Sequence, residues 1–216
     1  MIGNLLMKLY LVPAAPNPTK VMLYVAEREE MGTKMNIEQV RVNPLKEEQK
    51  SSKHLLRNEF GALPVLELDD GRFIVESLAI IYFLEDLYPE NNMLGIDVIE
   101  RGIARDVERN IEFRFANILG RFIHATNSPL GQPPDPELAA KLQSFFPKAL
   151  VYIERILSDG RYLLGGERPS IADCTLQSAL QFARFAKIEV INDYPLIQKW
   201  DRRYRQRPAA KAVLKF

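Results

Sequence analysis

Apolar and polar positions change period repeatedly along the first part of the chain. "KLYLV" (Lys8–Val12) is a short strand-like run, and "TKVMLYVAERE" (Thr19–Glu29) repeats its apolar residues at helical spacing. "NIEQVRV" (Asn36–Val42) is strand-like again. "LPVLELDDGRFIVE" (Leu63–Glu76) reads as two strands joined at Asp70-Gly71, a pair suited to a hairpin turn, and "SLAIIYFLEDLY" (Ser77–Tyr88) returns to the helical period. The order β-α-β followed by β-β-α predicts a small α/β domain over residues 7–88.

After "YPENNML" (Tyr88–Leu94) the pattern is helical throughout, predicting an all-α domain over residues 96–216. In its first long helix Ile103, Val107, Ile111, Phe115, Ile118 and Phe122 recur at three- and four-residue steps, the spacing of a buried face. The prolines of "PLGQPPDP" (Pro129–Pro136) then exclude helix. A second stripe, Leu138, Leu142, Phe145, Ala149, Tyr152 and Ile156, predicts a further helix kinked at Pro147. Ser170 and Asp173 have the spacing of a capping box, and Tyr194-Pro195 and Arg207-Pro208 mark two later helix starts.

Composition narrows the function classes. With 29 Lys and Arg against 28 Asp and Glu, no global field argues for nucleic acid or an anionic membrane. The apolar runs fall short of the roughly 18–20 residues that cross a bilayer, and the N-terminal residues lack a basic leader, so a cytoplasmic protein is expected. The one cysteine, Cys174, cannot form an internal disulfide and excludes a C-x-x-C redox centre; it reads as a buried apolar residue.

"NEFGALPVLELDDGRFIVESLAIIYFLEDLYP" (Asn58–Pro89) resembles the glutathione-binding core of the glutathione S-transferases, whose pattern is N-P-x-G-x-V-P-x-L, a hairpin turn, then E-S-x-A-I-x-x-Y-L. "YLLGGERPSIADCTL" (Tyr162–Leu176) extends the likeness into the helical half. The resemblance implies a thioredoxin-like N-terminal domain, an all-α C-terminal domain and a cytoplasmic homodimer. It also implies glutathione as co-substrate, no metal, and conjugation of the thiolate to a small apolar electrophile in detoxification. Alternatives on the same fold are a glutathione-dependent disulfide reductase or peroxidase, and a non-catalytic glutathione- or ligand-binding protein.

The family's binding residues carry over position by position. Pro64 falls at a cis-proline that turns the backbone of Leu63 outward to pair with the tripeptide, as in strand addition. Glu76 and Ser77 fall where the γ-glutamyl end is gripped; Ser77 heads a helix whose free N–H groups attract an anion, and on the residues alone it reads as an N-cap. Gln49 and Lys50 fall where the glycyl carboxylate is bound.

Thiol activation departs from the common pattern. A thiol with a pKa near 8.5 needs a hydrogen-bond donor or a positive field to ionise at neutral pH. In "VPAAPNPTKV" (Val12–Val21) Ala15 stands where other members carry a hydroxyl, and Tyr10 lies too early, inside the strand. Asn17 matches an asparagine that some bacterial glutathione enzymes use to hold the sulfur; read without the family, Asn17-Pro18 is a helix N-cap followed by proline. "RFIHATNSPLG" (Arg121–Gly131) resembles a segment of the atypical yeast Gtt-type transferases, which also lack the Tyr, Ser or Cys. There a histidine and a hydroxyl residue position a water that takes the thiol proton, which makes His124 a candidate with Thr126 or Ser128. Three activators therefore stay open: Asn17, His124 with a water, and the adjoining helix N-terminus. The acceptor pocket is expected between the domains, near Arg109, Phe113, Phe115 and the C-terminal "VLKF".

Overall fold

The computed structural model describes residues 6–158 and 161–216. The reading of a missing leader falls largely on residues 1–5 and lies outside the described residues. The first half contains β1 (Met7–Leu11), α1 (Pro16–Glu30), β2 (Ile37–Arg41), the short α2 (Ser52–Leu55), β3 (Val65–Glu67), β4 (Phe73–Val75) and α3 (Ser77–Leu87). The four strands lie in the order β2-β1-β3-β4. β1 runs parallel to β2 and antiparallel to β3, and β3 pairs antiparallel with β4. Gly71, at φ 83°, supplies the left-handed residue of the β3–β4 turn, where a side chain would be strained.

Alternation along β1 sends its side chains to opposite faces. Leu9 and Leu11 join the main core with α1 and α3, whereas Tyr10 joins a small second cluster with Val42 and Val65. The main core runs without a break from Leu9 and Leu66 in the sheet to Trp200 and Tyr204 in the helical half. A fully buried side chain of that size contributes about 1.5–3 kcal/mol, so the two halves stabilise one another.

The second half contains α4 (Val98–Ile111), α5 (Asn117–Thr126), α6 (Pro136–Gln143), α7 (Phe146–Ile156), α8 (Ile171–Phe185), α9 (Pro195–Arg205) and α10 (Pro208–Val213). α4 passes into α5 through a π-helical turn, Glu112–Ala116. The buried stripe of this long helix differs from the expected one by a residue at several points. Ala104 is buried and Ile103 is 54% exposed, and beyond Ile111 the π turn inserts an extra residue that rotates the later segment and moves its buried positions to Leu119 and Ile123. Likewise Pro147 does not kink a single helix. The chain breaks after Gln143, Pro147 sits in the first turn of α7, and Phe146 rather than Phe145 is buried.

The expected caps and starts are present. The Asp173 carboxylate accepts the Ser170 backbone N–H at 2.8 Å and the Trp200 indole N–H at 2.8 Å, while α9 and α10 begin at Pro195 and Pro208. Cys174 is fully buried, and burial pushes its thiol well above the usual range, as expected of a packing residue. Among the described residues no helix is long and apolar enough to cross a membrane.

Candidate functional site

Strand register brings three separate stretches to one end of the sheet. Tyr10 pairs with Val65 and Val65 pairs with Val75, so the end of β1, the start of β3 and the end of β4 coincide. The loop to α1, the Leu63-Pro64 dipeptide and Glu76-Ser77 therefore all emerge there. This is also where α1 and α3 begin, so two positive helix ends face the same space.

The Leu63-Pro64 bond is cis. Among the described residues no hydrogen bond takes up the Leu63 N–H or C=O, leaving both for an added strand. Glu76, exposed and at φ 69°, holds the N-cap position of α3, and buried Ser77 is its first residue. The expectation of Ser77 as the N-cap is thus shifted by one. The Ile80 N–H bonds the Glu76 carbonyl, which leaves the earlier N–H groups of the turn free for an anion.

Gln49 and Lys50 lie in a 3₁₀ turn, Glu48–Lys50, that packs on Gly61. A Cβ built at Gly61 would stand 3.0 Å from the Gln49 carbonyl oxygen, so glycine permits this approach. Gln49 Oε1 is buried with no hydrogen-bond partner among the described residues, a polar atom that a ligand would satisfy. Lys50 is exposed and its Nζ lies 2.6 Å from Glu47. His54, a residue the sequence left without a role, is buried and bonds the Ala62 carbonyl through Nε2 at 3.2 Å, and Asn58 donates to the same oxygen at 3.1 Å. These two bonds hold the strand approach to Leu63.

The start of α1 differs from expectation. Ala15, not Asn17, occupies the N-cap and supplies no side-chain bond, while Ala14 before it adopts φ 70°. Asn17 lies in the first turn between Pro16 and Pro18, neither of which has an N–H. The Thr19 N–H is taken by the Ala15 carbonyl. Among the described residues the free donors of this helix end are thus the Ala15 and Asn17 backbone N–H groups with the Asn17 side-chain amide.

Asn17 opens onto a cavity of about 190 Å³ between α1 and the helical half, and His124, more than a hundred positions later, lines the same cavity. Buried Lys20 and Ser178 complete part of its wall. His124 Nδ1 lies 2.9 Å from Ser128 Oγ, whereas Thr126 donates its hydroxyl to the Phe122 carbonyl at 2.8 Å. Of the two hydroxyl candidates only Ser128 touches the imidazole. Burial holds the His124 pKa below the usual histidine range, favouring the neutral ring.

Lys20 reaches across the domain boundary to Glu112 on the π turn and lies 3.5 Å from Glu108. Arg109 bonds Glu108 at 2.6 Å, and Thr175 donates to Glu108 at 2.9 Å. These charges are compensated, which makes their burial tolerable. Nothing in the sequence pattern announced this network, because its partners are distant along the chain.

Tyr10 stays out of the site as expected, whereas the expected acceptor pocket changes place. Tyr10 faces the opposite side of the sheet, where its hydroxyl donates to Glu67 at 2.5 Å, so it does not reach the Asn17 cavity. Phe113 and Phe115 line a groove of about 600 Å³ inside the helical half, bounded also by Phe145 and Tyr152, not a cleft between the domains.

A sheet of this order, with a cis-proline beside two helix starts and a helical bundle packed against them, is a thioredoxin-like domain joined to a helical domain. The family profile "Glutathione S-transferase, N-terminal domain" matches residues 6–86, and "Glutathione S-transferase, C-terminal domain" matches residues 136–212. The chain is 28% identical to glutathione S-transferase 2 of Saccharomyces cerevisiae over 96% of its length and 89% of the relative's. It is 30% identical to the probable glutathione S-transferase BZ2 of Zea mays, over 76% of this chain and 75% of that one. Among solved structures, Gtt2 from Saccharomyces cerevisiae superposes with a TM-score of 0.84 at 27% identity, covering 96% of this chain and all of that one. The chain belongs to the glutathione S-transferase family, with that family's thioredoxin-like and helical domains.

Proposed function

We propose that this protein is a glutathione transferase in which His124, through a water, accepts the thiol proton of glutathione while Asn17 holds the resulting thiolate for attack on a small apolar electrophile. The observation that carries this reading is the meeting of Asn17 and His124 on one cavity between the domains. With Nδ1 protonated and donating to Ser128, the Nε2 lone pair is the basic one, and the neutral ring favoured by burial is the form able to accept a proton. The Asn17 amide and backbone N–H then supply two dipoles at the positive end of α1 where negative charge develops. The resemblance of the "AAPNPTKV" loop and of "RFIHATNSPLG" to the yeast Gtt-type branch favours the same reading.

Glutathione itself is held along the sheet end. In this reading the Leu63 main chain pairs with the tripeptide, and Glu76 with Ser77 and the free N–H groups of α3 take the γ-glutamyl end. Gln49 and Lys50 meet the glycyl carboxylate, for which Lys50 exchanges its exposed Glu47 partner at small cost. The division into residues 7–88 and 96–216 separates these tasks, glutathione on the first and the electrophile on the second. A cytoplasmic homodimer is part of the same reading; exposed Phe60, Phe113 and Phe145 and the 600 Å³ groove are the apolar surface that a second copy would cover.

Titrating bound glutathione by thiolate absorbance tests the proposal. A pKa well below that of the free thiol is expected for the parent, rising towards about 8.5 in His124→Ala. A parent value equal to the free thiol would show binding without activation and reject catalysis. Reduction of a small disulfide without conjugation of an aromatic halide would instead favour a reductase.

A further inference from the structure

On the far face of the sheet, away from α1 and α3, lies a cavity of about 420 Å³ with a different chemistry. Lys8 reaches it from β1, and Lys53 and Arg57 from α2 and the residues after it. Among the described residues none of these three cations forms an ion pair with a carboxylate. Arg57 is held with its guanidinium 4.0 Å from the Tyr10 ring centroid, which fixes the group and leaves N–H donors in its plane for a ligand. The acids of the same wall are fewer. Glu48 is engaged by the Asn43 N–H at 2.8 Å, while Glu38 has no hydrogen bond or ion pair among the described residues.

The second observation is His54, 1% exposed and part of the same lining. Its Nε2 meets the Ala62 carbonyl, which can only accept, so Nε2 carries the hydrogen. In the neutral ring Nδ1 is then a lone pair, and it is buried with no partner. A buried acceptor without a donor is destabilising, and a ligand hydroxyl would relieve that cost. The wall thus offers unpaired cations for an oxyanion together with two acceptors, His54 Nδ1 and Glu38, for hydroxyl groups.

We propose that this cavity binds a small sugar phosphate, with Lys53 and Arg57 on the phosphate and His54 and Glu38 on the hydroxyls, as a second site separate from the glutathione end. The Arg57 guanidinium matches a phosphate in geometry as well as charge, and a phosphate alone leaves the two acceptors unmet. The site does not depend on the catalytic reading of Asn17 or His124, since neither lines it.

Titration calorimetry on the full chain, using ribose 5-phosphate, inorganic phosphate and ribose as separate probes, decides the matter. Saturable binding of ribose 5-phosphate at a single site per chain is expected, with the other two probes weaker by about tenfold or more. Lys53→Gln, at an exposed side chain, should lower that affinity by about tenfold, the loss of one charge-assisted contact, without changing the melting temperature in the absence of probe, and Arg57→Gln should lower the affinity by as much. Absence of saturable binding, or variants that bind as tightly as the parent, overturns the site. Equal affinity for inorganic phosphate and ribose 5-phosphate overturns the role given to the hydroxyl-binding pair.

Discussion

The sheet end and the interdomain cavity offer a ligand opposite kinds of group. At the sheet end the offered groups are mostly main chain: the free Leu63 amide and carbonyl and the first N–H groups of α3, with buried Ser77 and Gln49 Oε1 from side chains. In the cavity they are side chains from distant segments, Asn17 and Lys20 on α1 with Glu112 and His124 from the helical half. A backbone surface binds a peptide whatever its neighbours are, whereas side chains on a separate domain are positioned only by how that domain docks. The first region suits recognition and the second suits chemistry, and the two should respond to different mutations.

The largest effect is expected where the docking itself is broken. Lys20→Met leaves buried Glu108 and Glu112 with Arg109 as their remaining cation, and should lower unfolding stability by about 3 kcal/mol in urea denaturation. Pairing it with Glu112→Leu should recover part of that loss. No change in stability for Lys20→Met would show that the interface tolerates an unpaired charge and that the cavity is less buried than described.

His124→Ala comes next and separates chemistry from binding. Its kcat should fall by about a hundredfold, within the range of a lost general base, while the KM for glutathione stays close to the parent value. Ser77→Ala should do the reverse: glutathione binding weaker by about tenfold, with the pKa of the bound thiol unchanged. If either variant moved both quantities together, the division of labour would fail. Ser128→Ala should lower kcat by less than His124→Ala, since the ring keeps its place against Phe182 but loses the contact that fixes its tautomer.

The smallest effect concerns pH. Burial lowers the His124 pKa in the folded chain, so the unfolded chain binds the proton more readily. Below the ordinary histidine range near 6.5 the unfolded state therefore holds more protons, and folding stability must fall as pH falls through that window. His124→Gln should flatten this part of a stability-against-pH curve measured by denaturant melts. A curve identical to that of the parent would mean that the imidazole is equally solvated in both states.

Sequence carried the sheet end almost whole. Its information is local: a hairpin turn, a proline before a strand, and a polar pair before an apolar helix all express backbone preferences within a few residues. The docking surface was less legible. Periodicity placed the long helix of the second half correctly, yet the π turn at Glu112–Ala116 shifted the buried face beyond it to Leu119 and Ile123. The Asn17-Pro18 pair suggested a cap, but Pro16 started the helix earlier and placed Asn17 inside the first turn.

Sequence alone therefore determined the element order, the thioredoxin-like motif and a short set of activating candidates, because these depend on local period and turn chemistry. Only the tertiary structure decided which of them meet. It put Asn17 beside His124, chose Ser128 over Thr126 as the imidazole partner, turned Tyr10 to the other face and set Lys20 against Glu112. The physical reason is that such pairs are selected by packing between segments far apart in the chain, where burial and charge compensation act and local propensity has no say.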